Sequence, residues 1–288
     1  MHSERISVDG VGVQVWVDGP EGAPAILFLH GWPETHRGWE AVAPRLAHRF
    51  RLLMPDLRGF GESDMPEGTK AYSLRVVTGD ALAILDHFGA ARAGVVAHDF
   101  GGVVAWSLGA FAPGSVTGMV VMCSPHPLRL RAAAIEDRSQ WARSFYAWLM
   151  HAGPEGEALL ASDGFRNLAH WAFRGSRVPA GLIDDYRAGW AEPGRFHAMA
   201  EWYRANFRPS LFDPDAPTPE LPAVTVPTRY LHAESDQAFV PGAARGSGEF
   251  VSAEYAEDVV PGAGHWLAHD EPDLVATAIE DWLGPRSD

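Results

Sequence analysis

Val95-Val96-Ala97-His98-Asp99-Phe100-Gly101-Gly102 carries an apolar, β-rich run straight into a helix-like segment, Val103–Phe111. Small residues stand two before and two after Asp99, at Ala97 and Gly101. A strand-to-helix turn this tight needs small flanks and exposes its central side chain, the pattern of a nucleophile turn. Ser is the commoner occupant; here it is Asp99. A carboxylate is ionised at neutral pH, so it needs no base before it attacks. It can displace a leaving group from saturated carbon and become an alkyl ester, which water must then cleave. A histidine would therefore serve the water rather than the nucleophile. Asp is also a good helix N-cap, and the turn by itself leaves that alternative open.

Working outward, the run Ala93–Ala97 is joined by Ala25–Leu29, Leu52–Met54, Val116–Met122 and Thr228–Leu231, each followed by a loop rich in Gly, Pro, Asp or His. Arg75–His87 and Pro272–Leu283 read as amphipathic helices. Strands alternating with helices predict an α/β fold with a mostly parallel central sheet flanked by helices and ligands at the carboxyl ends of its strands. Residues 125–222 break the alternation. They are rich in Ala, Arg and aromatics, and their 11 Arg nearly balance 12 Asp plus Glu. They read as a helical insertion closed by a proline-rich segment, Pro209 to Pro227, that reads as an extended return linker. The expected organisation is a core domain of residues 1–124 and 223–288 with a helical cap, residues 125–222, over an apolar pocket. A second packing layer without a pocket is the alternative, since aromatics mostly serve cores.

Composition excludes several function classes. The 288 residues hold 37 acidic and 23 basic side chains, a net charge of −14, which disfavours nucleic acid and anionic membranes as partners. The single cysteine, Cys123, allows no intramolecular disulfide and no cysteine-based zinc site. No apolar run approaches the roughly 18 residues of a membrane span. Met1-His2-Ser3-Glu4-Arg5 lacks the apolar stretch of a signal peptide, so the cytoplasm is the expected location. Oligomeric state is not legible.

The base expected to act with Asp99 is His265, in Gly262-Ala263-Gly264-His265-Trp266, after a predicted strand near Ala253–Val260. The acid expected to orient it is Asp236, directly after the Thr228–Leu231 strand, with Glu234 and Asp270 as competing candidates. The oxyanion donors should be the backbone amides of Phe100, after the nucleophile, and of Trp32, in His30-Gly31-Trp32-Pro33-Glu34.

These segments, with Asp56-Leu57-Arg58-Gly59-Phe60-Gly61-Glu62-Ser63-Asp64, resemble the α/β-hydrolase superfamily, and within it the epoxide hydrolase-like branch with an Asp nucleophile. The resemblance covers nearly the whole chain outside the insertion. It implies opening of an epoxide to a vicinal diol through an ester on Asp99, with a small apolar epoxide and water as partners and no metal or organic cofactor. It also implies two lid side chains that protonate the epoxide oxygen. Glu201-Trp202-Tyr203-Arg204-Ala205-Asn206 resembles the second lid-tyrosine motif, which assigns Tyr203. Its partner is expected at His170, in Asn167-Leu168-Ala169-His170-Trp171, with Tyr146 as the alternative, because the family's first tyrosine position falls on Leu149. Trp32, Phe100, Tyr146, Trp171 and Trp266 are the candidate substrate contacts. Dehalogenation by the same carboxylate is the competing activity, although Phe100 lacks the N–H donor that would hold a halide. A non-catalytic small-molecule binder on the same fold is a further alternative.

Overall fold

The computed structural model describes residues 1–284. Eight strands form one sheet: β1 (His2–Val8), β2 (Val11–Asp18), β3 (Ala25–Leu29), β4 (Arg51–Pro55), β5 (Ala93–His98), β6 (Val116–Met122), β7 (Thr228–Ala233) and β8 (Tyr255–Val260). Their order is β1-β2-β4-β3-β5-β6-β7-β8. The pairs from β4 to β8 are all parallel, while β1 and β2 pair antiparallel with each other and β2 pairs antiparallel with β4.

The apolar runs become central strands because both faces are covered. All six residues of β5 are buried, and neighbours along β3 serve opposite sides: Ile26 and Phe28 belong to one core, Leu27 and Leu29 to the other. That is the two-residue alternation of a pleated strand applied to a sheet with two dry faces. Strands β1 and β2 lie outside the sequence expectation. They form a hairpin across Asp9 and Gly10, both at positive φ (50° and 82°), with Val8 facing Val11. An Asp-Gly pair suits such a two-residue turn.

The helices are α1 (Ala43–Leu46), α2 (Leu74–His87), α3 (Phe100–Phe111), α4 (Pro127–Glu136), α5 (Ser139–Arg143), α6 (Phe145–His151), α7 (Pro154–Ala161), α8 (Arg166–Phe173), α9 (Ala180–Trp190), α10 (Arg195–Asn206), α11 (Leu267–Asp270) and α12 (Pro272–Leu283). Helix α2 buries Val77, Ala81, Ile84 and Leu85, one face at helical spacing. Helix α12 starts on a proline and buries Val275, Ala276 and Ile279 in the core that holds Ile26 and Phe28. Burying each such large side chain contributes about 1.5–3 kcal/mol. Among the described residues, no helix is long and apolar enough to cross a membrane.

Everything regular between β6 and β7 is helical, α4 to α10 with 3-10 turns at Ser162–Gly164 and Pro209–Phe212. The return segment is therefore not wholly extended; it rejoins the sheet domain through an isolated bridge between Val224 and Val251. The aromatics of this segment serve packing as well as any pocket. Leu168, Phe173, Tyr186, Trp190, Phe196 and Trp202 share the core that holds Leu27, Leu29 and Val104. Two indole N–H groups tie the layers together: Trp190 donates to the Pro33 carbonyl and Trp202 to that of Arg58, each at 2.9 Å.

Candidate active site

Asp99 sits between β5 and α3 with φ 51° and ψ −119°. A non-glycine residue is rare there, and its strain must be held by the surrounding structure. Glycines permit the crowding. A Cβ on Gly31 would lie 2.4 Å from the Asp99 Cβ, and one on Gly101 would lie 2.1 Å from the Leu29 carbonyl oxygen. The Asp99 Oδ1 accepts the Trp32 backbone N–H at 2.8 Å. Phe100 opens α3, so its N–H belongs to the helix's first, intrahelically unpaired turn. The loop carrying Trp32 is held by His30, whose Nε2 accepts the Leu57 N–H at 3.0 Å.

His265 lies between two carboxylates. Its Nδ1 is 2.9 Å from Asp236 Oδ2, and its Nε2 is 3.6 Å from Asp99 Oδ2. Burial works to lower its pKa, but the charges and hydrogen bonds of Asp236 and Asp99 raise it to about 10. Burial conversely works to raise the Asp236 carboxyl, yet His265 and the Ala238 N–H hold it at about 2. Asp99 is held below the ordinary carboxylate range the same way, by His265, His98 and the Trp32 N–H against its burial. Of the competing acids, Glu234 is exposed and accepts the Gly262 N–H, while Asp270 accepts those of Gly264 and Arg177. Asp236 alone of the three meets the imidazole.

A cavity opens over Asp99, and Phe100, Tyr146 and Tyr203 line it with the carboxylate. The two tyrosine rings meet edge to face at 5.4 Å. Burial and the Asp99 charge push the Tyr146 hydroxyl well above its ordinary pKa, and burial and Tyr146 do the same to Tyr203, so both stay protonated.

The expected His170–Tyr203 pair is not found. Helix α8 turns Leu168, Ala169, Ala172 and Phe173 inward, which leaves His170 exposed. It lines a separate cleft with Arg166 and Arg187. Tyr146 stands in its place. Among the expected substrate contacts, Phe100 and Tyr146 line the cavity, whereas Trp32, Trp171 and Trp266 do not. Trp32 stacks on Tyr146 at 5.1 Å, and Trp171 packs on the same ring at 4.7 Å. Trp266 lies against His98 and Phe173, its indole N–H donating to the Ala172 carbonyl.

Two buried histidines beside the site escaped the sequence reading. His98 donates from Nε2 to the His265 carbonyl at 2.9 Å, and burial keeps its pKa low. His269 pairs with Glu34 Oε1 at 2.9 Å; burial opposes its charge, but Glu34 raises its pKa. The position of His98 next to Asp99 was the available signal; nothing local marks His269. Ligand atoms of His98, Cys123 and His265 lie within 4.8 Å of one another, close enough to hold a metal. Yet His98 Nε2 and His265 Nδ1 are already engaged by the His265 carbonyl and Asp236.

The comparisons with known proteins agree with this fold. A family model described as the alpha/beta hydrolase fold matches residues 24–272. The AB hydrolase superfamily protein YfhM of Bacillus subtilis is 28% identical over 293 residues, covering 96% of each chain. Epoxide hydrolase A of Mycobacterium tuberculosis is 28% identical over 309 residues, again covering 96% of each. Among solved structures, one described under novel epoxide hydrolases of the alpha/beta hydrolases superfamily, from metagenomes of hot environments, superposes with a TM-score of 0.86. It is 27% identical, and the match covers 99% of both chains.

Proposed function

The chain belongs to the α/β-hydrolase family and is epoxide hydrolase-like, and from that premise we propose that it opens apolar epoxides to vicinal diols through an ester on Asp99. The observation that carries the reading is the convergence of the Asp99 carboxylate and the Tyr146 and Tyr203 hydroxyls on one apolar cavity. In this reading residues 125–222 are the cap that brings the two tyrosines to the carboxylate.

Asp99 Oδ1 is occupied by the Trp32 N–H, so Oδ2 is the attacking oxygen. The Oδ2–carbon bond forms as the ring C–O bond breaks, and the leaving oxygen takes a proton from the tyrosine pair. Trp32 and Phe100 amides then stabilise the ester carbonyl and its tetrahedral adduct. Alkylation has an electrostatic consequence. The ester is neutral, so His265 loses one of the two negative charges that raise its pKa to about 10. Its proton becomes available to restore the tyrosine hydroxyl, and the neutral imidazole can take a proton from water. The resulting hydroxide attacks the acyl carbon and the acyl–Oδ2 bond breaks. The alcohol leaves with one proton from the water, and His265 keeps the other. Asp236 holds the ring and supports its cation throughout.

The direct test is diol formation from a terminal aryl epoxide, followed by chromatography and mass spectrometry. The native enzyme should form the diol and Asp99→Ala should form none; equal diol from both would remove Asp99 from the reaction. One observation favours a second reading, halide displacement: the Trp32 indole N–H is buried with no hydrogen-bond partner. Release of halide from a haloalkane by the native enzyme would support it.

A further inference from the structure

The cavity over Asp99 extends to one side only. Its wall comes from the β5–α3 turn, the chain after β6, α4, the start of α6, the end of α10 with the segment after it, and the loop after β7. No residue of α7, α8, α9 or of the loop after β3 lines it. On that other flank the space is already filled with rings. Trp32 lies flat on Tyr146, with 6° between the planes, and Trp171 covers the same tyrosine and Phe145. The two largest polar side chains of the open side are already engaged. The Asn206 amide is spent on the Tyr72 and Trp202 carbonyls and the Leu74 N–H. The Arg131 guanidinium is bound to the carbonyls of Ser210, Asp213 and Ala216.

We propose that the site takes epoxides bearing one large apolar group on a single ring carbon, such as aryl glycidyl ethers, and excludes trans-1,2-disubstituted epoxides. The single group lies along the open side, between Leu130 of α4 and Phe239. A second group on the opposite ring carbon would have to enter the volume that Trp32 and Trp171 hold. Trp171 is the specificity-determining residue of the pair. It is only half-buried, and unlike Trp32 it gives no backbone donor to Asp99. This inference rests on the epoxide reading.

The test compares kcat/KM for benzyl glycidyl ether and trans-stilbene oxide. The native enzyme should favour the glycidyl ether by about 100-fold or more, the scale set by forcing extra volume into a packed site. Trp171→Ala should shrink that ratio by about tenfold or more. Leu130→Trp, which fills the open side instead, should cost benzyl glycidyl ether more than it costs 1,2-epoxybutane, and this arm stands whether or not Trp171→Ala folds. A native enzyme that treats both large epoxides within tenfold of each other overturns the inference and leaves the epoxide reading intact. A folded Trp171→Ala with an unchanged ratio overturns the role of Trp171. Consumption of no epoxide, terminal or disubstituted, defeats the epoxide reading itself.

Discussion

Replacing His265 by Gln separates the two halves of the proposed reaction. The amide can still accept or donate toward Asp236, but it cannot take a proton from water. General-base assistance contributes about 10²–10⁴-fold, so ester cleavage should slow by that factor, about 3–5 kcal/mol of barrier. Ring opening suffers differently. His265 is the group that chiefly holds the Asp99 carboxyl below its ordinary range against burial. Without it the Asp99 pKa rises, and alkylation in the variant should become faster as pH is raised through the carboxylate range and then level off. At pH 8.5 the nucleophile is ionised, the ester forms, and it outlives the experiment. Intact-mass spectrometry after rapid quenching should show the protein heavier by the whole epoxide, and peptide mapping should put the added mass on Asp99. The same protein carrying Asp99→Ala should gain nothing. Turnover by His265→Gln at the native rate, or no added mass at pH 8.5 with an epoxide the native enzyme consumes, refutes the reasoning.

Other perturbations discriminate among the remaining residues. Tyr146→Phe removes a donor from the leaving oxygen and should lower the single-turnover alkylation rate by about 10²-fold or more, while His170→Ala, on an exposed face, should leave kcat/KM within about twofold; the reverse pattern would restore His170 to the site. Gly31→Ala drives a Cβ to 2.4 Å from that of Asp99, so it should abolish adduct formation while circular dichroism shows a folded chain. Ile279→Ala empties a fully buried position beneath the sheet and should cost about 2–5 kcal/mol by urea denaturation. His265 has a folded pKa of about 10 against an ordinary 6.5, so its contribution to stability is complete below pH 6.5 and fades as pH rises toward 10. Native protein should therefore lose stability across that window more steeply than His265→Gln, as read by urea midpoints; parallel curves would mean that the imidazole is not charged between its carboxylates.

The sheet was legible because its signals are local. Apolar runs such as Ala93–His98 and Val116–Met122 are buried on both faces and need no partner to be recognised. The turn at Asp99 was legible because a tight backbone restricts its neighbours to small residues. The β1–β2 hairpin carries an equally local sign, Asp9-Gly10 between alternating valines, and went unread because its strands are half polar. The cap is a different case. Helices α5 and α6 have five and seven residues, separated by a break at Ser144. Counting along so broken a path does not fix which side chain faces inward, so the sequence placed His170 ahead of Tyr146 although Tyr146 is the one that reaches the cavity. The tryptophans were opaque for a related reason. An indole lining a pocket and an indole donating to a carbonyl in another layer, as Trp190 and Trp202 do, look alike in one dimension.

The fixed orientation of the Asp99 carboxylate has a consequence in the identity of atoms. Oδ1 is pinned by the Trp32 N–H, and Oδ2 faces His265. If Oδ2 attacks and the acyl bond is the one that water breaks, Oδ2 departs inside the diol and a solvent oxygen takes its place. The first product molecule then carries an oxygen from the polypeptide itself, and in isotopically heavy water one turnover suffices to write the label into Asp99. The nucleophile is consumed and rebuilt one atom at a time, so a protein that has worked differs from one that has not in the origin of a single oxygen.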